Sequence, residues 1–188
     1  DLVLRSPKQM FTYLTNLVPF SANIQGNRAF MANKMLAQAI PLKYREAPLV
    51  QSKMPTGGTF ENFIGKVFST QAEEDGVVKK VTYDEVIVEN KDGKESVYNL
   101  YNNFPLNNKS FIHSTPLVKA GDKVTLGQPI ADTNYTKDGT LAIGTNLRVG
   151  ILPFKDSTFE DGYVISESAS KKLTSEHLRE VTIQVGKE

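Results

Sequence analysis

From Gly57-Gly58 onward the chain divides into short apolar runs separated by turn residues, a pattern that points to short β-strands. The runs are Phe63 to Phe68, Gly76 to Val81, Glu85 to Glu89 and Ser96 to Leu100, which contain the β-branched and aromatic residues that suit a pleated surface. Asn90-Lys91-Asp92-Gly93 joins the last two as a hairpin, with Gly93 able to take positive φ. Tyr101 to Lys109 is rich in Asn and interrupted by Pro105, which predicts a loop. In Pro116 to Asp132, Ala120-Gly121-Asp122 predicts a tight turn, Val124 and Leu126 alternate inward, and Gly127-Gln128 turns the chain into another short strand.

The flanks differ in character. Ser6, Pro7 and Gln9 have the form of a helix start, and Met10, Tyr13, Leu14 and Leu17 follow at helical spacing until Pro19. Arg28 to Ala39 is made of good helix formers, with Met31, Met35 and Ala39 on one face and Arg28 in or just before the first turn. A cation at that end opposes the helix dipole, so an anion held there explains it better than helix stability does. Downstream, Leu147 to Leu152 and Tyr163 to Ser166 are strand candidates and Glu167 to Leu173 is a short helix candidate. Val181, Ile183 and Val185 alternate as in a strand with one buried face. The expected fold is mainly β with a few helices, of the α+β class. Residues 56–133 form an inserted β module, and 1–55 with 134–188 form one discontinuous unit.

Composition narrows the class without naming a function. A chain of 188 residues with 39% hydrophobic content and net charge +1 is a soluble globular sequence of one or two domains. It has no cysteine, hence no disulfide framework and no thiolate metal site, which fits a reducing compartment. No apolar run approaches the roughly 18 residues of a membrane span, so a cytoplasmic location is expected. Asp1 in place of an initiator Met is expected of a piece of something longer. Charge is uneven: Arg28, Lys34, Lys43, Arg45 and Lys53 against Glu46 alone give residues 26–54 a net +4, either a face for phosphates or a solvated basic face. His113 and His177 stand far apart without partners at ligand spacing, so zinc is not expected. No Ser-His-Asp arrangement, phosphate-binding P-loop or dinucleotide fingerprint is evident.

A series of strings in fixed order carries a resemblance. Leu17-Val18-Pro19-Phe20, Asn27-Arg28-Ala29, Gln38-Ala39-Ile40-Pro41 and Ala47-Pro48-Leu49-Val50 are followed by Leu141-Ala142-Ile143-Gly144, Asn146-Leu147-Arg148-Val149, Pro153-Phe154, Phe159-Glu160-Asp161 and Val164-Ile165-Ser166-Glu167. Together they resemble the hybrid-binding, active-site-facing part of the beta subunit of bacterial-type multisubunit RNA polymerase. The sequence is divergent within that family, and a phage or plasmid origin would account for it, which would place it in a host cell cytoplasm. The resemblance implies that the flanks supply strands to a double-psi β-barrel completed by sequence beyond this chain. Pro116 to Asp132 in turn resembles half of a barrel-sandwich hybrid.

The resemblance also implies roles. Arg28 would face the phosphates of the incoming nucleotide, for which a planar guanidinium with fixed donors is suited, while Asn27 would orient it or touch the sugar. Gln38 would lie near the RNA end of the RNA–DNA hybrid. Glu160 and Asp161 would meet, partly through water, a transient Mg²⁺ carried by the nucleotide. The principal Mg²⁺ would belong to an aspartate triplet of the partner beta-prime-type large subunit, since no Asp-x-Asp-x-Asp pattern occurs here. Further expected partners are the other polymerase subunits, template DNA, RNA and nucleoside triphosphates, and no membrane. Two departures stand out: Asn23-Ile24-Gln25 replaces the acids common before the Asn-Arg-Ala string, and Ser157 replaces a common aromatic.

Each role has a plainer counterpart. Arg28 could form a surface ion pair, Gln38 could merely be exposed, and Glu160-Asp161 could belong to a turn with Asp156-Ser157-Thr158 and Gly162. Two other functional classes remain open at this level. One is a non-catalytic module that mimics the subunit and binds polymerase or nucleic acid. The other is a biotinyl or lipoyl carrier domain, disfavoured because Lys53 precedes the module and Lys91 lies in an ordinary hairpin.

Overall fold

The computed structural model describes residues 3–4, 7–153 and 162–186. Eleven short strands, four α-helices and three 3-10 turns are found among them, a mainly β chain with a few helices and antiparallel, open sheets. Helix α1 is Tyr13–Asn16, α2 is Gly26–Ala37, α3 is Phe60–Phe68 and α4 is Glu167–Lys172. The strands are β1 Thr70–Gln71, β2 Gly76–Val81, β3 Glu85–Asn90, β4 Glu95–Asn99, β5 Phe104–Pro105 and β6 Phe111–Ile112. They continue with β7 Ser114–Pro116, β8 Lys123–Val124, β9 Pro129–Thr133, β10 Thr136–Lys137 and β11 Thr140–Leu141.

The alternating runs become a meander. Strands β4, β3, β2 and β8 line up in that order, with Val86 opposite Tyr98 and Val78 opposite Val88. The register slips between Val78 and Lys80, a bulge that places both Lys79 and Lys80 on the solvent side. Asn90 closes the β3–β4 turn as expected: Gly93 takes φ 76° and Asn90 Oδ1 accepts the Asp92 and Lys94 N–H groups. A second sheet, β1-β9-β7, adds Ile130 and Ala131 to the same core as Val78, Val86, Val88, Tyr98, Val118 and Val124. All of these are nearly or fully buried, so one core ties the two sheets together.

A buried carboxylate shapes the chain as it leaves this core. Asp132 is 2% exposed, yet it accepts the Thr136 hydroxyl at 2.9 Å and the Asp138 and Gly139 N–H groups at 2.7 and 2.9 Å, so its charge is compensated locally. The β10–β11 hairpin so formed meets α3 so closely that Gly65 has no room for a side chain.

Several sequence expectations are corrected. Phe63 to Phe68 is not a strand but most of α3, because Thr59 caps it by accepting the Asn62 N–H at 3.2 Å, while Phe60, Ile64 and Phe68 recur at helical spacing. The first helix is split into a 3-10 turn, Pro7–Met10, and α1, since Thr12 accepts the Thr15 N–H and starts a new helix there. Helix α2 directs Ala29, Ala32, Asn33 and Leu36 inward, whereas Met31 and Met35 are exposed. Leu126 is 71% exposed, because the Gly127 turn carries it outward while Val124 stays buried. The stretches Leu147–Leu152, Tyr163–Ser166 and Val181–Val185 form no strand pairing among the described residues, and a strand exists only by pairing.

Candidate functional site

Helix α2 presents the surface on which the leading candidates stand. Gln25, its N-cap, is extended and makes no side-chain cap, and no acid lies in the first turn. The opening N–H groups of a helix lack acceptors within it, so this end keeps its partial positive charge. Arg28, third in the helix, adds a full one. It is exposed, its Nη1 donates toward Met31 Sδ at 3.8 Å, and among the described residues no carboxylate lies within ion-pair distance.

Asn27 adjoins Arg28 and is exposed with it, so these two candidates share one helix end. Gln38 forms the C-cap, its N–H bonded to the Lys34 and Met35 carbonyls at 3.2 Å, and its side chain is exposed. A rise of about 1.5 Å per residue sets Gln38 roughly 15 Å from Arg28 along the axis. Glu160 and Asp161 lie outside the described residues. Among the described residues no group of three or more His, Cys, Asp or Glu side chains could hold a metal ion. His113 packs tilted against the Tyr83 ring and His177 meets Ser175.

The basic stretch is only partly available for an anion. Arg45 is half-buried and donates through Nε to the Thr136 carbonyl at 2.7 Å, while Lys43 stands over the Tyr44 ring. Arg28, Lys34 and Lys53 remain exposed.

The acid in that stretch organises a clasp which sequence reasoning missed. Glu46 Oε1 accepts Lys172 Nζ at 2.8 Å, and Oε2 accepts the Asn146 N–H at 2.9 Å and its Nδ2 at 3.1 Å. Asn146 Nδ2 also donates to the Ala47 carbonyl at 2.9 Å, and its Oδ1 accepts the Leu49 N–H. The Lys172 ammonium and the two Asn146 donors hold the Glu46 carboxyl far down, from its ordinary 4.5 to about 2. Backbone bonds surround the clasp: Glu46 N–H to Gly144, Lys43 N–H to Thr174 and Glu176 N–H to Pro41. The available signal was Glu46 itself, a single acid among five cations.

Beside the clasp lies a cavity of about 360 Å³ lined by Leu17, Leu36, Val50, Leu141 and Ile143. Glu61 closes one wall, 5% exposed, with both carboxylate oxygens on the Ser52 N–H at 2.9 and 3.2 Å.

No helix among the described residues is long and apolar enough to cross a membrane. Residues 71–188 match the family model described as RNA polymerase Rpb2, domain 6. The DNA-directed RNA polymerase subunit beta of Caldicellulosiruptor saccharolyticus is 36% identical over 182 residues, 96% of this chain and 14% of that protein. Those of Acetivibrio thermocellus and Fusobacterium nucleatum are each 37% identical, over 96% and 95% of this chain and 14% and 15% of their own. The chain thus spans about one seventh of the length of these relatives. A family model matched over most of the chain, and relatives more than a third identical across nearly all of it, show that the chain belongs to the RNA polymerase beta-subunit family.

Proposed function

We propose that this chain works as part of the beta subunit of a DNA-dependent RNA polymerase, where it helps bind the incoming nucleotide and the RNA–DNA hybrid during transcription. The observation that carries this reading is Arg28: an exposed guanidinium without a carboxylate partner among the described residues, at the uncapped, positive end of α2. Two sources of positive potential converge there, the arrangement an anion such as a triphosphate would stabilise. Asn27 supplies an adjacent donor and acceptor, and Gln38 extends the same helix toward the hybrid.

Glu160 and Asp161 have the hard oxygen donors that Mg²⁺ takes, but two acids do not make a permanent site. In this reading they contact, partly through water, the ion that arrives with the nucleotide, and a partner beta-prime-type subunit holds the principal one. Bound Mg²⁺ would neutralise charge on the phosphates. The other polymerase subunits, template DNA, RNA and nucleoside triphosphates complete the partners, and the cytoplasm is the proposed compartment. Residues 56–133 are proposed as the inserted, barrel-sandwich-like module and 1–55 with 134–188 as the double-psi part. The core cluster from Ala72 to Ala131, which falls wholly inside the first range, supports that division.

In the assembled polymerase, Arg28→Ala should remove about 1.5 to 3 kcal/mol of charge-assisted hydrogen bonding, roughly ten- to hundredfold in kcat/KM for nucleotide. Glu160→Ala with Asp161→Ala should give a defect that added Mg²⁺ partly relieves, whereas the Arg28 defect should be insensitive to metal. Steady-state elongation kinetics across Mg²⁺ concentrations measure both. If both variants assemble and elongate with unchanged nucleotide dependence, this reading fails and an architectural role replaces it.

A further inference from the structure

Glu61 is a buried carboxylate with few partners. It is 5% exposed, and its two oxygens share a single donor, the Ser52 N–H, at 2.9 and 3.2 Å. An ionised carboxylate offers about four lone-pair sites, and no Lys, Arg or His stands within ion-pair distance of this one among the described residues. Its place in the first turn of α3 brings some help from the helix dipole, far less than the cost of burying a charge. Two other carboxylates of the chain are better served. Asp132, also buried, collects one hydroxyl and two N–H groups, and Glu46 has the Lys172 ammonium together with both donors of Asn146.

Beside Glu61 lies space. It forms one wall of the cavity of about 360 Å³ whose apolar lining is Leu17, Leu36, Val50, Leu141 and Ile143. That volume falls in the range of small-ligand sites, roughly 300 to 1,000 Å³, which likewise combine apolar walls with a few polar groups. A second polar atom of the lining is also unsatisfied: Thr145 Oγ1 is buried with no hydrogen-bond partner among the described residues. Other polar side chains there are engaged. Glu46 and Asn146 hold each other, while Gln51 accepts the Thr59 hydroxyl and donates to the Pro48 carbonyl.

We propose that this cavity is a binding site for a small organic cation, a primary ammonium carried on a compact apolar body. The ammonium donates to the lone pairs of Glu61 that Ser52 leaves free, and the apolar body covers the leucines, Val50 and Ile143. Thr145, whose hydroxyl both donates and accepts, takes a polar substituent if the ligand has one. Charge selects the class. A neutral hydrocarbon fills the space but leaves the buried carboxylate uncompensated, and an anion is repelled by it. This site uses neither Arg28 nor the acidic pair, so it stands or falls apart from the nucleotide reading.

The test is a calorimetric titration of cyclohexylmethylammonium into the assembled polymerase, beside its neutral counterpart cyclohexylmethanol. The ammonium should bind, and the alcohol should bind roughly ten- to hundredfold more weakly, as expected for loss of a charge-assisted hydrogen bond. Glu61→Gln keeps an acceptor for the Ser52 N–H and should weaken the ammonium by a similar factor while leaving the alcohol unchanged. Val50 lines the cavity yet is largely exposed, so Val50→Trp should block entry and abolish binding of both probes without disturbing a packed core. If Glu61→Gln fails to assemble, Val50→Trp and the alcohol carry the comparison.

Equal affinity for ammonium and alcohol would overturn the proposal, because Glu61 would then select nothing. Ammonium binding unchanged by Val50→Trp would place the cation elsewhere and overturn it too. No binding at millimolar concentration would leave the carboxylate to water. Density for a Lys or Arg side chain of another part of the polymerase in the cavity would replace the free ligand with an internal contact, and either result ends the proposal.

Discussion

Glu46 shows how one side chain can be read through its protons. The Lys172 ammonium, then the N–H and Nδ2 of Asn146, favour its charged form in the folded chain, which lowers its pKa from 4.5 to about 2. A depressed carboxylate stabilises the fold fully above the unfolded value, and that contribution is lost as pH falls through the folded one. The gap in thermal midpoint between the chain and its Glu46→Gln variant should therefore be constant above about pH 5 and shrink steadily toward pH 2. Scanning calorimetry over that range measures it. A gap undiminished at about pH 3 would mean that Lys172 and Asn146 do not hold the carboxylate as described.

At the scale of elements, α3 depends on two unlike residues. Thr59 supplies the cap, and Thr59→Ala should cost about 1 kcal/mol. Gly65 supplies space: a Cβ there would fall on the Gly139 carbonyl oxygen and come within 2.7 Å of Leu141 N and Thr140 Cα. Backbone cannot yield as a side-chain tip can, so Gly65→Ala should cost more than the cap, about 1 to 3 kcal/mol or beyond, by urea unfolding. Equal losses would place the contact between α3 and β11 wrongly. The same helix marks where sequence reading stops. Strands β2 to β4 were legible because alternation and the Asn90–Gly93 turn are local signals. Phe63, Ile64, Val67 and Phe68 have strong β preference, and only the cap at Thr59 and the docking on the β10–β11 hairpin make them helical. The position of Arg28 near the start of a helix was legible because the signals for that helix are local. The clasp was not, since it joins Glu46 to residues 100 and 126 positions away, a separation at which no periodicity operates.

Over the whole molecule, apolar surface is divided unequally. The two sheets bury Val78, Val86, Val88 and Ile130 almost completely, yet outside them Ile151 is 99% exposed, Val164 91% and Val185 90%. These residues lie in stretches without strand partners among the described residues, and large apolar side chains left in water favour association. The purified chain should bind a hydrophobic dye strongly and self-associate as its concentration rises. Combined Ile151→Thr, Val164→Thr and Val185→Thr substitution should weaken both effects while leaving the thermal midpoint nearly unchanged, because side chains already in water lose no burial when made polar. Dye fluorescence, light scattering and thermal unfolding on the same samples decide it. A large fall in midpoint would show that these residues belong to a buried core. An unchanged dye response would direct attention to the exposed Phe30, Met31 and Met35 of α2, the helix on which the nucleotide reading stands.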